Sequence, residues 1–296
     1  MRALKNLFLP HGGIDFRHCE RAAIDCGSAH ISLAVPPSTR SISSRLTSST
    51  RLDLSLSSNG QLPYETERGL HEERSLHSYI HLALGEWFYF APRLDITANG
   101  EPYVCATGYW RIERTKQNIQ MEPGNLQRLT QYLKDDYAIF FEQEGDGKDT
   151  CGPAWRVKKQ LYDFYSGRHH PVEFYASEIK EILAEKLPKL PDDYTEVTFG
   201  NTRWVRYSYV PHRGLPTAIN YSLPLDANHL LTISISLVRF HERDEKWLAQ
   251  ARADFDRLVA GTQVHFHQLA AVDSQTSRDK TDQPMDPPRP LASRAG

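Results

Sequence analysis

The sequence predicts an α+β fold of two lobes, each a mostly antiparallel sheet packed with helices, followed by a disordered C-terminal tail. Three observations lead there. Short runs with an apolar residue at every second position recur between Gly, Asn and Pro turns, mostly without the intervening helix that parallel pairing needs. A few longer stretches instead carry apolar residues at helical spacing. From Gln268 to Gly296 the chain is polar, contains proline and has no aromatic residue, a composition that cannot bury a core.

Taken in order, residues 1–27 read as an irregular N-terminal segment. Ile31, Leu33 and Val35 share one strand face, as do Leu52, Leu54 and Leu56, with the Ser41–Thr50 stretch as a connection. Glu65–Leu84 has Leu70, Leu76, Ile80 and Leu84 at rough helical spacing. Trp87–Phe90 is an aromatic run suited to a buried strand. Leu94–Thr97 and Tyr103–Glu113 flank Asn99-Gly100, the dipeptide favoured in type I′ hairpin turns. Pro123–Leu133 reads as a helix with Pro in its first turn, and Tyr137–Phe141 as a returning strand.

Trp155–Tyr165 fits helix and strand alike. Ser177–Leu187 is helical, with Ile179, Ile182, Leu183 and Leu187 along one side, and Pro188 and Pro191 then mark the boundary between lobes. The expected division is an N-terminal lobe over 28–187, a C-terminal α/β sandwich lobe over 192–267 and the tail over 268–296. In the second lobe a hairpin turns at Gly200-Asn201, strands follow at Thr217–Ser222 and His229–Phe240, and the second of these is apolar enough to be covered on both faces. Asp244 begins a helix through Val259 that buries Trp247, Ala251, Phe255 and Leu258. Gly261 ends it, and Val264–His267 closes the lobe as a short strand.

Composition excludes several classes. The 296 residues carry 35 basic and 37 acidic side chains, a net charge of −2, so no broad positive field draws in nucleic acid. The average hides a contrast. Residues 1–60 hold 7 basic and 4 acidic groups, whereas residues 61–267 hold 24 and 29, together with 29 of the 31 aromatic residues. The apolar run Leu7–Leu9 is cut by Pro10, His11 and two glycines, so no export signal is visible. Nor does any uninterrupted apolar stretch reach the roughly 18 residues of a spanning helix. The expectation is a cytoplasmic protein without membrane insertion, or a periplasmic one if the true start lies upstream. Cys19, Cys26, Cys105 and Cys151 form no C-x-x-C pair and have no histidine at zinc-site spacing. They read as free thiols, a Cys105–Cys151 bridge being sensible only after export.

The stretch N-T-R-W-V-R-Y-S-Y, then Y-S-L-P-L-D-A-N-H-L-L-T-I-S-I-S, then a Trp-bearing helix and a closing strand, resembles the C-terminal part of PsbP/Mog1-like domains over residues 194–267. The resemblance implies an α/β sandwich with an antiparallel sheet and, for most of that family, binding and scaffold roles. It transfers no catalytic residue.

No nucleophile elbow, zinc-protease, P-loop or dinucleotide motif occurs. His265 and His267 alternate on a strand and could share a metal, but no third ligand is apparent; His169-His170 before Pro171 reads as a solvated loop. Arg203, Trp204 and Arg206 read as a core tryptophan with edge arginines rather than a nucleic-acid stacking platform. The acidic glycine-containing run Glu142–Asp149 lacks the ligand pattern of a calcium loop. It is expected to be an exposed hairpin tip, with Glu142, Glu144, Asp146 and Asp149 available to a basic protein partner. The sequence thus points to a non-enzymatic protein-binding protein without a cofactor, of the bacterial toxin-neutralising immunity or adaptor kind, acting by occlusion. The alternative is a hydrolase-type enzyme with an interlobe pocket that uses His and carboxylate side chains.

Overall fold

The structure, a computed structural model, describes residues 11–38, 50–52, 54, 79–90, 102–115, 121–123, 125–145, 152–187, 189–209, 218–239 and 246–267. The strands, in chain order, are β1 (His11–Gly12), β2 (Glu20–Asp25), β3 (Ala29–Val35), β4 (Thr50–Arg51), β5 (Tyr79–Phe90), β6 (Pro102–Arg114), β7 (Thr195–Phe199), β8 (Thr202–Tyr209), β9 (Ala218–Pro224), β10 (His229–Arg239) and β11 (Gln263–Phe266). The helices are α1 (Leu126–Glu142), α2 (Pro153–Ser166), α3 (Ala176–Lys186) and α4 (Lys246–Ala260). The α+β class with mostly antiparallel sheets is what the chain adopts: a seven-stranded sheet in the order β1-β5-β6-β10-β9-β8-β7 and a four-stranded sheet in the order β11-β3-β2-β4.

Neither sheet follows the chain order expected of two successive lobes. β6, from before Pro188 and Pro191, pairs with β10, from after them, over eleven residues from His229↔Arg114 to Arg239↔Val104. The small sheet joins β3 to β11 from the far end of the described chain. The reason lies in the strands themselves. β6 and β10 are the two central, most apolar ladders, and each covers the other's edge. Residues 20–25, expected to be irregular, form β2. Leu52 and Leu54 are buried as foreseen, but the pairing there is the two-residue parallel match of β4 with β2.

The apolar faces of the two sheets and α4 share one core. Ile112, Trp110 and Ala106 of β6 lie opposite Leu231, Ile233 and Leu237 in one direction across the ladder, with Ile31 and Leu33 of β3 and Phe255 and Leu258 of α4 in the same cluster. Trp87 sits at its centre. Gly85 and Gly108 face each other across β5 and β6, and a Cβ on Gly85 would come within 2.4 Å of the Trp87 indole. The paired glycines make the slot that the ring fills. Trp87 then meets Trp110 edge to face at 6.5 Å between ring centroids, a favoured aromatic geometry. Both indole N–H groups are satisfied: Trp87 donates to the Pro37 carbonyl (3.1 Å) and Trp110 to the Thr262 hydroxyl (2.9 Å).

The opposite face of the large sheet is covered by α1. Asn125 caps this helix by accepting from the Arg128 N–H, and Leu126, Leu129, Tyr132, Leu133 and Phe141 are its buried side. Tyr137–Phe141, read from sequence as a strand, continues this helix, because Leu133, Tyr137 and Phe141 recur every four residues on the same stripe. Ile80–Leu84, read as the end of a helix, belongs to β5, where Ile80 and Leu82 join the core with Trp87 and Tyr89; Glu65–Ser78 lies outside the described residues. Trp155–Tyr165 is helical. Leu230, Thr232 and Ser234 are buried on the α1 side of β10, so that strand is covered on both faces there, while Val238 at its end is 52% exposed. The Leu94–Thr97 strand, Asp244 and the tail from Gln268 lie outside the described residues.

The Trp110–Thr262 bond supplies a test. Thr262 is 1% exposed, so Thr262→Val keeps its shape and strands a buried indole donor. The expected loss is about 1–3 kcal/mol in denaturant unfolding, with Thr262→Ser recovering most of it.

Candidate interaction site

The segment from Gly152 to Lys186 departs from the sheets. α2 docks on the C-terminal end of α1 through three contacts: Gly152 N–H donates to the Gln143 carbonyl (2.8 Å), the Trp155 indole donates to the Gly145 carbonyl (3.3 Å), and Lys158 pairs with Glu142 at 2.5 Å. A Cβ at Gly152 would lie 2.0 Å from the Phe140 carbonyl oxygen, so the joint admits glycine alone. Pro153 opens α2 in the position where its missing N–H costs nothing. A turn of 3-10 helix over Val172–Tyr175 leads into α3.

Over this arm, Ala154, Tyr165 and Ile179 are the fully buried apolar side chains among the described residues. Tyr165 locks the two helices together. Its ring packs on Tyr175 at 4.9 Å, and its hydroxyl donates to Glu178, which raises its pKa. Three large side chains face water instead: Tyr162 (51% exposed), Phe164 (56%) and Phe174 (69%). The two phenylalanines are held in place while exposed. The Arg168 guanidinium lies 4.5 Å over the Phe164 ring, and the His170 imidazole stacks on Phe174 at 4.5 Å. Cation–π and stacking contacts of this kind fix ring orientation without removing the rings from solvent.

Of the four acidic residues expected to meet a partner, Glu142 is engaged by Lys158, and Glu144 is exposed just past the end of α1. Asp146 and Asp149 lie outside the described residues. The run joins two helices rather than two strands, so its expected place at a hairpin tip is corrected: the aromatic stretch before it is helical. His169 and His170 are exposed as foreseen, although His170 is one of the stacking groups. Trp204 is fully buried in the core and Arg203 pairs with Glu196 at 2.5 Å, as the core reading required. His265 is exposed on β11 opposite His30, and the His267 imidazole lies 3.5 Å from Asp25. Among the described residues no three His, Cys, Asp or Glu side chains converge on a point that would hold a metal, and no helix is long and apolar enough to cross a membrane. Cys26 is buried, and its thiol pKa is pushed up to about 12 by desolvation and by the Asp25 and Asp226 charges; a thiol so disfavoured as thiolate is a poor nucleophile. Cys105 is buried on β6, and Cys151 lies outside the described residues.

Sequence reading missed two polar arrangements. The first lies where α1 meets the large sheet. Arg111 and Glu113 of β6 form an ion pair on that face, beside His81 of β5. The Tyr137 ring meets Tyr207 edge-on at 5.4 Å, Tyr194 stacks on Tyr207 at 5.1 Å, and Ser222 and Thr232 share a hydrogen bond at 3.1 Å. Tyr207 is linked to both Tyr137 and Ser222, so hydroxyl groups run continuously from α1 across β8 and β9 to β10. Burial raises the Tyr137 pKa to about 12. Desolvation, seconded by the Arg111 charge, lowers that of His81 to about 4. The second arrangement is in the β9–β10 turn, where Asp226 accepts from the Asn228 N–H and both carboxylate oxygens lie 2.8–2.9 Å from His229 Nδ1. His229 is 5% exposed, and its Nε2 meets no hydrogen-bond partner among the described residues. The signal for both was present as polar residues alternating with apolar ones, but alternation alone reads as a solvated face.

No family model, no curated protein and no solved structure matches this chain.

The His81 environment gives a pH prediction. Its folded pKa lies below the unfolded value near 6.5, so between about pH 6.5 and 4 the unfolded chain takes up a proton that the folded one refuses. Stability contributed at neutral pH is therefore lost as pH falls through that window. Unfolding free energies measured from pH 7 to pH 4.5 should fall more steeply for the wild type than for His81→Gln.

Proposed function

We propose that this chain is a non-enzymatic protein-binding protein that acts by occluding a partner's surface, in the manner of a toxin-neutralising immunity or adaptor protein. One observation carries the reading. Phe164 and Phe174 are ordered by Arg168 and His170 yet point to solvent, on helices that add little to the core. Rings fixed before binding lose little entropy when a partner covers them, and aromatic anchors beside arginine dominate protein interfaces. The resemblance of residues 194–267 to PsbP/Mog1-like domains, whose members mostly bind, supports the same reading. Glu144 adds an exposed carboxylate near the root of the arm, a contact for a basic patch on the partner.

The test is affinity capture from the native host with the full chain. The wild type is expected to retain a stoichiometric protein partner, and Phe174→Ala to weaken its affinity by about 30-fold, as loss of a hot-spot side chain does, with unfolding unchanged. A capture that recovers no stoichiometric partner, or one that Phe164→Ala and Phe174→Ala leave untouched, defeats the reading.

The competing reading, a hydrolase that uses His and carboxylate side chains, is favoured by the Asp226–His229 pair. A carboxylate on Nδ1 fixes an imidazole with the lone pair on Nε2, the tautomer a general base needs. Ester or amide hydrolysis by the purified chain that disappears in His229→Ala and persists in Phe174→Ala would establish it over occlusion.

A further inference from the structure

A second surface is independent of the arm. Three of the four sheet edges are blunted. Beside β5, Gly12 and His11 pair with Tyr89 and Phe90, Gly13 N–H donates to the Phe88 carbonyl, and the Ser38 hydroxyl bridges the N–H and carbonyl of Glu86. The β5–β6 register also shifts by one residue between His81 and Ala83. β4 is two residues long, and beyond it β2 turns the charged, exposed Glu20 and Arg21 to solvent. On the outer side of β11, the Val264 N–H donates to the Thr202 hydroxyl. Short strands, bulges, charges and capping side chains are the usual protections of an edge.

β7 carries one charge, Glu196, already paired with Arg203, and among the described residues it has no bulge, proline or capping side chain. It pairs with β8 in unbroken register from Phe199↔Thr202 to Thr195↔Arg206, across a two-residue turn with Gly200 at φ 60°. Pairs in such a hairpin alternate between hydrogen-bonded and open, starting from a bonded closing pair. Phe199, Val197 and Thr195 therefore spend their backbone groups on β8, and those of Glu196 and Thr198 point outward. Glu196 and Thr198 are exposed, and among the described residues no backbone hydrogen bond joins the strand to an element other than β8. The sequence Thr-Glu-Val-Thr-Phe is rich in strand-favouring residues and contains neither Pro nor Lys.

We propose that β7 pairs antiparallel with β7 of a second copy about a two-fold axis at Val197, joining two seven-stranded sheets into one. The strand is self-complementary in this register. Glu196 and Thr198, whose backbone groups are free, fall opposite Thr198 and Glu196 of the second copy, and Val197 falls opposite itself. No like charges fall directly opposite each other. Each Glu196 already pairs with its own Arg203, and Arg203 lies opposite Thr198 in the β7–β8 ladder. The register therefore places Arg203 of the second copy two strands from Glu196 on the same face, with Thr198 between them.

The experiment is light-scattering mass measurement across a concentration series on the full chain, with circular dichroism to establish folding of each variant. The wild type should rise from 33.9 kDa toward twice that mass. Thr198→Pro removes an outward N–H from each copy without touching the β8 ladder and should keep the chain monomeric. Thr198→Glu sets a carboxylate against Glu196 at both symmetric positions and should weaken association about tenfold, whereas Thr198→Lys, which gains that pair, should tighten it. A monomer mass at every wild-type concentration overturns the proposal and leaves the edge to a strand of another protein. Equal weakening by Thr198→Glu and Thr198→Lys, or a dimer untouched by Thr198→Pro, overturns it too.

Discussion

The pairing of β6 with β10 is the constraint on which the rest of the structure depends. Eleven consecutive register pairs join a strand from the first half of the chain to one from the second, and every other strand of the large sheet is placed by reference to them. Because side chains alternate strictly between faces, a slip of one residue would move Trp110 and Ile233 out of the core and put Arg111 and Thr232 in their place. The register is thus held from both sides: by large apolar groups against the small sheet and α4, and by a buried polar array against α1.

That polar array costs desolvation energy, and its members recover it from one another. The hydroxyls of Tyr207, Ser222 and Thr232 are linked, and Arg111 neutralises Glu113 on a face where a lone charge would be expensive. A network of this type adds less to stability than an apolar face would, because its gains first repay desolvation. The arm is the reverse case. It shares few side chains with either core, and a single ion pair, two hydrogen bonds and a glycine contact set its position on α1. The exposed aromatics of the arm and the fold determinants thus sit on separate parts of the chain, which allows those aromatics to vary without disturbing the β6–β10 register.

Much of this was legible in the sequence, and the failures share a cause. The strands around Ile31, Trp204 and Ile233 and the helix of Phe255 follow from spacing alone, and Trp204 was correctly assigned to the core. Tyr137–Phe141 misled because an aromatic run satisfies a buried strand and the last turns of a helix equally well; only the Leu133–Tyr137–Phe141 stripe decides. The Pro188–Pro191 stretch looked like a boundary, yet local punctuation carries no information about which distant strands pair. The candidate site fared worse. Glu142 stands out by charge and is exposed while paired with Lys158, whereas Phe164 and Phe174 have no mark in the sequence to set them apart from core aromatics. The exposure of Phe164 follows from where α2 docks, which is set by the contacts of Gly152, Trp155 and Lys158 with the end of α1, and Phe174 is carried on the turn that follows.

The bond from Trp110 to Thr262 has a consequence for how the chain reaches its native state. Trp87 and Trp110 belong to a hairpin that is complete by residue 114, but the hydroxyl that satisfies one of them, the helix that covers them and the strand that closes the small sheet all come from residues 246–266. During synthesis the core face of the β5–β6 hairpin must therefore wait, with both tryptophans lacking α4 and β11, while about 150 further residues are made. Contacts this distant in sequence make for slow closure. Until α4 and β11 arrive, that apolar face stays open, the condition in which unfinished chains associate with one another.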